Sequence, residues 1–480
     1  MKTDNTADQP LEQQRNLNSL PQWAQDLIQE LMARVQELEA QVAKNSSNSG
    51  KPPSSDGLKK PPKTSSQRGK SGRKPGGQNG HAGKTLEQVD TPDHIVTHSP
   101  EACERCGHSL DEVEGISTAK RQVFDLPEPK VEVTEHRVEA KICPCCGGIA
   151  KGDFPENITA PVQYGERVQA LAAYFTHQHF LPFDRLSQMF KDIFGIGISP
   201  ATCVNVDRKL FARLESFEAN LKAYLIASQV LHFDETGMRC KKKLHWIHVA
   251  SSEAATFYGI HTKRGRGAID EFGILPEFQG TAIHDHWLPY FAYTQVKHGL
   301  CNAHHFRELT FVHEHEKEEW AKEMKDLLFQ AKKEVENNAE QGFLLQEQIR
   351  ALEKEYGKII IKGMEYHLSL PPLESKKKGK RKQRVGKNLL DRLADNFECV
   401  LRFLQDFSIP FTNNQGEQDI RMVKLKQKIS GCFRTLEGGQ IFCRIRSYIS
   451  TARKQSWNIW NALVDALKGR PRLLPVCSSP

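Results

Sequence analysis

The chain has no run approaching the roughly 18 consecutive apolar residues that a membrane-spanning helix needs. Its first residues, MKTDNTADQPLEQQRN, lack the apolar stretch that forms the centre of a signal peptide. Both absences direct the reading to a cytoplasmic protein. Aromatic residues are few, 8% of the total, and mean hydropathy is −0.57, so long solvated segments are expected beside the cores that 38% apolar residues can build. In a reducing compartment the twelve cysteines are not expected to form a disulfide framework, and some are expected to bind metal. A strong overall charge is also missing: 67 basic against 59 acidic residues leave a net +8. At 480 residues the chain is too long for one compact core, and about 150 residues per domain suggests about three.

The modest charge conceals local concentration. Residues 50–84 carry nine Lys or Arg against Asp56 alone, and Lys376–Lys387 carry eight more with no acid. Each tract has a net +8, so the rest of the chain is net acidic by the same amount. Concentrated basic tracts point to a polyanion such as DNA.

Along the chain, residues 20–45 read as a helix with Ile28, Leu31, Val35, Leu38 and Val42 at heptad a and d spacing and Glu30, Arg34, Glu37 and Glu39 between them. This is either a short coiled-coil zipper or a helix packed on its own protein. Residues 46–88, rich in Ser, Gly, Pro and Lys, cannot bury apolar surface and read as a disordered or extended basic linker. Its Lys59, Lys60, Arg73 and Lys74 are candidates for phosphate contact, against the plainer reading of a solvated linker. Residues 89–152 hold Cys103-x-x-Cys106-Gly107 and Cys143-Pro-Cys145-Cys146-Gly147. Two such turns can supply four thiolates to one tetrahedral, structural Zn²⁺, with Cys103, Cys106, Cys143 and Cys146 as ligands. Cys145 is the spare and His108 a weaker substitute; between the turns, 122–126 and 130–138 alternate as strands do. Residues 153–227 read as helical, with Ser199 as N-cap and Pro200 at the first helical position. Helix, Gly-containing turn and helix there resemble a helix-turn-helix, although many ordinary helical pairs look the same.

The candidate chemistry lies in carboxylates. A strand-like run ends at Asp234-Glu-Thr236, two more strands follow at 245–250 and 256–261, then a helical stretch at 267–275, then a strand at 281–285 ending in Asp285. Three strands, a helix and a strand are the opening of an RNase H-like fold, in which the acids of the first and fourth strands lie side by side. Adjacent carboxylates repel unless a divalent cation shares them, and oxygen donors suit Mg²⁺. A third acid, Glu417, begins a helical stretch in which Asn414 is a candidate N-cap at capping-box spacing. Glu417, Arg421, Lys424 and Lys428 share one helix face, as a metal ligand beside a phosphate backbone would; a solvated basic face has the same pattern.

Taken together, Gly72-Arg-Lys-Pro-Gly-Gly-Gln-Asn-Gly-His81, the paired C-x-x-C turns, Asp234-Glu-Thr236, Asp285-x-Trp-x-x-Tyr290, Cys301-Asn-Ala-His304, Asn413-Asn-Gln-Gly-Glu417-Gln-Asp-Ile-Arg421 and Lys426-Gln-Lys-Ile-Ser-Gly-Cys-Phe-Arg434 resemble the transposases of the insertion sequence 66 family, of the DDE type. The resemblance runs over nearly the whole chain. It implies a triad of Asp234, Asp285 and Glu417 holding two Mg²⁺, cleavage at terminal inverted repeats and strand transfer into target DNA. It also implies a nucleoid-associated bacterial enzyme acting as a homodimer or larger assembly, with accessory proteins of the same element as further partners. His286-Trp287 depart from the small residue and Tyr common in relatives. The expected architecture is a multidomain α+β protein. Its RNase H-like α/β core, 228–310 and 405–455, is split by a helical insertion, 311–404, with a C-terminal helix and tail at 456–480. An N-terminal coiled coil, a zinc-ribbon-like module and a helical DNA-binding region precede it. The alternatives are a catalytically inactive DNA-binding repressor and a nuclease without strand transfer.

Overall fold

The structure, a computed structural model, describes residues 20–44, 85–116, 119–371, 373 and 383–475. Lys59, Lys60, Arg73 and Lys74, and the basic residues 376–382, lie outside them. The chain divides into two compact units, one formed by 63–155 with 192–195 and the other by the rest.

Helix α1 (Gln22–Ala43) spans the heptad segment. Leu31, Val35, Leu38 and Val42 along it are 46–85% exposed, and Ile28 is half-buried. In the smaller unit, strands β1 (Ala140–Ile142) and β2 (Ile149–Lys151) pair antiparallel and carry the second cysteine turn between them. The alternating segments 122–126 and 130–138 do not form strands. Their alternation has no apolar face to cover: Val123, Leu126 and Val133 are 86–92% exposed, and Gln122 instead exchanges two 2.7 Å hydrogen bonds with the backbone of Val89.

After the smaller unit come helices α2 (Glu166–His177), α3 (Phe183–Phe194), α4 (Pro200–Arg213) and α5 (Glu215–Ile226). Ser199 caps α4 as its sequence suggests, accepting the Thr202 amide at 3.0 Å ahead of Pro200. Val206 and Leu210 of α4 and Phe217, Leu221 and Leu225 of α5 are buried in one core with Leu231, Phe233 and Phe257 of the sheet. Helices α4 and α5 therefore form a layer over the sheet.

That sheet has five strands in the order β5-β4-β3-β6-β7. Strands β3 (Val230–Cys240), β4 (Lys243–Ser251) and β5 (Thr256–His261) are an antiparallel meander. Helix α6 (Arg266–Phe272) crosses over to β6 (Thr281–His284), which runs parallel to β3, and β7 (Lys297–Leu300) runs parallel to β6. Strand, strand, strand, helix, strand is the order read from the sequence; β7 is additional. Side chains alternate across the sheet. Leu231, Phe233, Ala250 and Phe257 face the core just described, whereas Met238, Ile247, Val249, Tyr258 and Ile260 face the opposite side.

After β7 come α7 (Asn302–Glu316), α8 (Glu319–Asn337), α9 (Gln346–Ser369), α10 (Val385–Asp395) and α11 (Phe397–Leu401). Their apolar faces, including Leu309, Trp320, Leu328, Tyr356 and Leu390, form a core joined to the sheet through Ile283 and Leu300. Helix α12 (Asn414–Ser430) then returns to the sheet and buries Ile420 and Val423 beside Met238 and Val249. Helices α13 (Leu436–Lys454) and α14 (Ile459–Leu467) close the unit, with Ile445, Tyr448, Ile449, Leu463 and Ala466 buried against α5 and the sheet.

Candidate active site and cysteine module

The three acids singled out from the sequence lie near one another, the charges of Asp285 and Glu417 both acting on Asp234. Parallel pairing sets Leu231 opposite Ala282 and His232 opposite Ile283; continued by two places, it sets Asp234 level with Asp285. Asp234 shares the side of His232, whose Nδ1 lies 2.8 Å from Oδ1 of Asn413 at the start of α12. Glu417 follows in the first turn of that helix.

Asn413 fixes this junction. Its Nδ2 donates to the Phe233 carbonyl at 2.8 Å, and its backbone N–H donates to Cys301 Sγ at 3.1 Å. The N-cap of α12 is thus Asn413, not Asn414, and its side chain makes no capping bond. The capping-box reading of Asn414 and Glu417 does not hold, because the preceding asparagine is drawn into the sheet and Glu417 is left to face the site.

Burial, then the neighbouring carboxylates of Glu235, Asp285 and Glu417, hold Asp234 well above the ordinary range. One Asp234 oxygen accepts the Glu235 amide at 2.8 Å. Burial also raises Asp285, against the lowering effect of Arg264; its Oδ1 accepts the Trp287 amide at 3.2 Å. The chain reverses between these two residues at His286, which has φ of +73°. A buried non-glycine residue in that region is strained. The ring of His286 is held meanwhile by His305 and Asn396, each at 3.3 Å.

Several groups crowd around Glu417. His304 Nδ1 and a nitrogen of Arg307 each lie 3.7 Å from Oε1, Cys301 Sγ lies 3.9 Å from it, and Arg421 approaches Oε2 at 3.6 Å. Burial and the Arg307 charge push the His304 imidazole down to about 3, so it meets Glu417 as a neutral ring. Burial, followed by the Glu417 charge, pushes the Cys301 thiol up to about 12. Arg421 and Lys428 are exposed, whereas Lys424 turns back to donate to the Gly237 carbonyl at 2.9 Å.

Sequence reasoning missed much of the surrounding shell. On the opposite sheet face, Glu235 receives Tyr290 Oη at 2.6 Å and Arg264 Nε at 2.9 Å. The Arg264 guanidinium also lies over Trp246 and Trp287, at 4.9 and 4.3 Å from their ring centres. Behind Asp285, His284 meets His298 at 3.0 Å and His286 meets His305, whose Nδ1 lies 2.9 Å from Asn302 Oδ1. Burial lowers all four imidazoles, so the site backs onto uncharged rings. The one available signal was the density of histidine between 284 and 305.

The two cysteine turns are built alike. In each, the amide of the glycine after the second cysteine donates to the carbonyl of the first, Gly107 to Cys103 at 2.8 Å and Gly147 to Cys143 at 2.9 Å. These glycines have φ of +73° and +71°, a left-handed conformation that side chains disfavour. Backbone N–H groups of Arg105 and Cys106 lower Cys103, and those of Cys146 and Cys145 lower Cys143. Thiols so held are suited to ligate Zn²⁺ as thiolates. The structure pairs Cys103 with Cys106 and Cys143 with Cys146; among the described residues, the group of three or more ligand atoms lying within 4.8 Å of one another is Cys301, His304 and Glu417.

A mixed α/β unit whose carboxylates converge beside exposed basic side chains, joined to a zinc-finger module, belongs to a DNA-processing enzyme. The chain belongs to the transposase IS66 family, whose profile matches residues 161–441, more than half of its length. Residues 100–147 match the zinc-finger binding domain of transposase IS66, and residues 7–87 match a family of unknown function. No curated protein matches the chain. It is accordingly an insertion-sequence transposase that binds DNA, and no helix among the described residues is long and apolar enough to cross a membrane.

Proposed function

We propose that this transposase is of the DDE type, with Asp234, Asp285 and Glu417 as its catalytic acids on an RNase H-like core. The observation that carries the proposal is the proximity of the three carboxylates: Asp285, just past β6, and Glu417, in the first turn of α12, both act on Asp234 of β3. Their donor set fits a hard divalent cation: oxygen ligands only, with burial and then the neighbouring carboxylates raising Asp234. Asp234, Asp285 and Glu417 would hold Mg²⁺, which when bound stabilises attacking and leaving oxygens in phosphoryl transfer.

The chain's own residues supply the remainder. Asn413 and His232 orient α12 so that Glu417 faces the strand ends. Arg421 and Lys428, exposed on that helix, offer charge to a phosphate backbone. Lys424, bonded to Gly237, steadies the helix instead. The scissile phosphate is hydrolysed at an element end, and the freed 3′-hydroxyl then attacks target DNA, with no protein nucleophile. Helix α1, with its exposed heptad stripe, pairs with a second copy of the chain.

The test is single substitution, Asp234→Asn, Asp285→Asn and Glu417→Gln. Each is expected to lower Mg²⁺-dependent cleavage of terminal-repeat DNA by about a hundredfold or more, in keeping with several kcal/mol of lost charge stabilisation, while binding through the zinc module persists. Wild-type activity in any one variant removes that acid from the triad. Joined products separate a transposase from a plain nuclease.

A further inference from the structure

Cys301 and His304 have no part in the reaction just described, although they sit against one of its acids. Cys301 follows β7 at the N-cap position of α7, and His304 comes one turn later, on the same side of the helix. Sγ of Cys301, Nδ1 of His304 and Oε1 of Glu417 all lie within 4.8 Å of one another. Sγ donates a long hydrogen bond to Oε1 at 3.9 Å, and Nδ1 lies 3.7 Å from the same oxygen. Nδ1 of His304 is buried and has no hydrogen-bond partner. Leaving a buried ring nitrogen unpaired is costly, so its survival calls for a ligand.

The spacing suits a cation between them. Tetrahedral Zn²⁺, with bonds of about 2.3 Å to sulfur and about 2.0–2.2 Å to nitrogen and oxygen, sets its ligands roughly 3.3–3.6 Å apart. The two separations from Oε1 need to close by only a few tenths of an ångström, and sulfur and nitrogen lie within 4.8 Å of one another. Sulfur already accepts the Asn413 amide, the kind of outer hydrogen bond that steadies a bound thiolate. Arg307 also approaches Oε1, but at 3.7 Å it makes no hydrogen bond to it.

We propose that Cys301, His304 and Glu417 form a site for a borderline-soft divalent cation, of which Zn²⁺ is the natural example, distinct from the zinc of the cysteine module. Thiolate and imidazole favour Zn²⁺ over Mg²⁺, whereas the carboxylate is common to both. Occupancy would withdraw Glu417 from Asp234 and Asp285 and so inhibit Mg²⁺-dependent cleavage; this consequence rests on the reading of Glu417 as the third catalytic acid.

The probe is Co²⁺, added to the full chain with zinc already in its cysteine module. Thiolate-to-cobalt absorption is expected in the near ultraviolet at one equivalent, abolished by Cys301→Ser and shifted at least tenfold toward weaker binding by His304→Gln. Absence of that absorption in the wild type, or its persistence in Cys301→Ser, overturns the proposal. Far-ultraviolet circular dichroism checks that the variants are folded, and His304→Gln gives a reading if Cys301→Ser is not. A second measurement titrates Zn²⁺ into Mg²⁺-supported cleavage of terminal-repeat DNA. Inhibition is expected in the wild type, with at least tenfold lower sensitivity in Cys301→Ser. If cobalt binds as expected but Zn²⁺ leaves cleavage untouched, the metal site stands and the assignment of Glu417 fails.

Discussion

Asn413 is the smallest part on which the candidate site depends. It is buried, bonds the ring of His232 and the carbonyl of Phe233 through its side chain, and meets Cys301 through its backbone. Truncation leaves two buried polar groups without partners, at a cost of about 1–3 kcal/mol each. Asn413→Ala is therefore expected to lower unfolding stability by roughly 2–6 kcal/mol, measured as a fall in the denaturant midpoint. Its cleavage rate should fall beyond what the unfolded fraction explains, because Glu417 loses its mooring. A rate loss that merely tracks the unfolded fraction would count against the positioning role. This residue also marks a limit of the sequence. Asn413 and Asn414 are adjacent and chemically identical, and both stand within capping distance of a helix start. Only the approach of β3 decides which one is drawn inward.

Among the elements, those with a strong local signal were legible in advance. Ser199 and Pro200 announced α4, and strand-like apolar runs announced β3, β4, β5 and β6, although β3 continues to Cys240, so that Asp234 lies within it rather than at its end, and Asp285 follows β6. Strand β7 was not legible, since Lys-His-Gly-Leu carries no alternation. Its Gly299 packs closely: a Cβ there would lie 2.6 Å from Ile283 Cδ1, so that side chain would have to shift. The strands expected at 122–138 failed for the opposite reason, having the pattern without a surface to bury. Buried polar groups are similarly hidden in sequence, and Glu318, between α7 and α8, is one. It accepts Trp320 Nε1 at 2.6 Å and lies 3.1 Å from His367. Burial pushes its carboxyl up to about 7 from 4.5. The folded-state value lies above that of the unfolded chain, so this contribution to stability is complete below about pH 4.5 and is lost as pH rises toward about 7. Glu318→Gln keeps an acceptor for Trp320 and removes the titration. Its unfolding midpoint is expected to vary less with pH over that window, and to exceed the wild type by on the order of 1 kcal/mol near pH 8. Parallel midpoint profiles for the two proteins would show that Glu318 does not titrate as described.

For the whole molecule, the distribution of charge decides how DNA is held. Outside the tracts 50–84 and 376–387 the chain is net acidic, so its long-range attraction for a polyanion must come chiefly from those tracts and from local rows such as Arg421 and Lys428. Counterion release relates each neutralised phosphate to a change of about 0.9 in the slope of log affinity against log salt. Residues 50–84 contain nine Lys or Arg. Deleting them is expected to flatten the slope by roughly 0.9 for each phosphate they neutralise, to a ceiling of about 8 if all nine engage. Affinity should fall most at low salt, and by similar factors for terminal-repeat and unrelated DNA, because binding to phosphates carries no base information. The cysteine turns lie outside the deleted segment, so a preference for terminal repeats should survive, as a ratio of affinities at fixed salt. An unchanged slope would make residues 50–84 a spacer. A slope that flattens while the ratio collapses would assign them sequence recognition as well, and the basic arm would then have to reach the base edges.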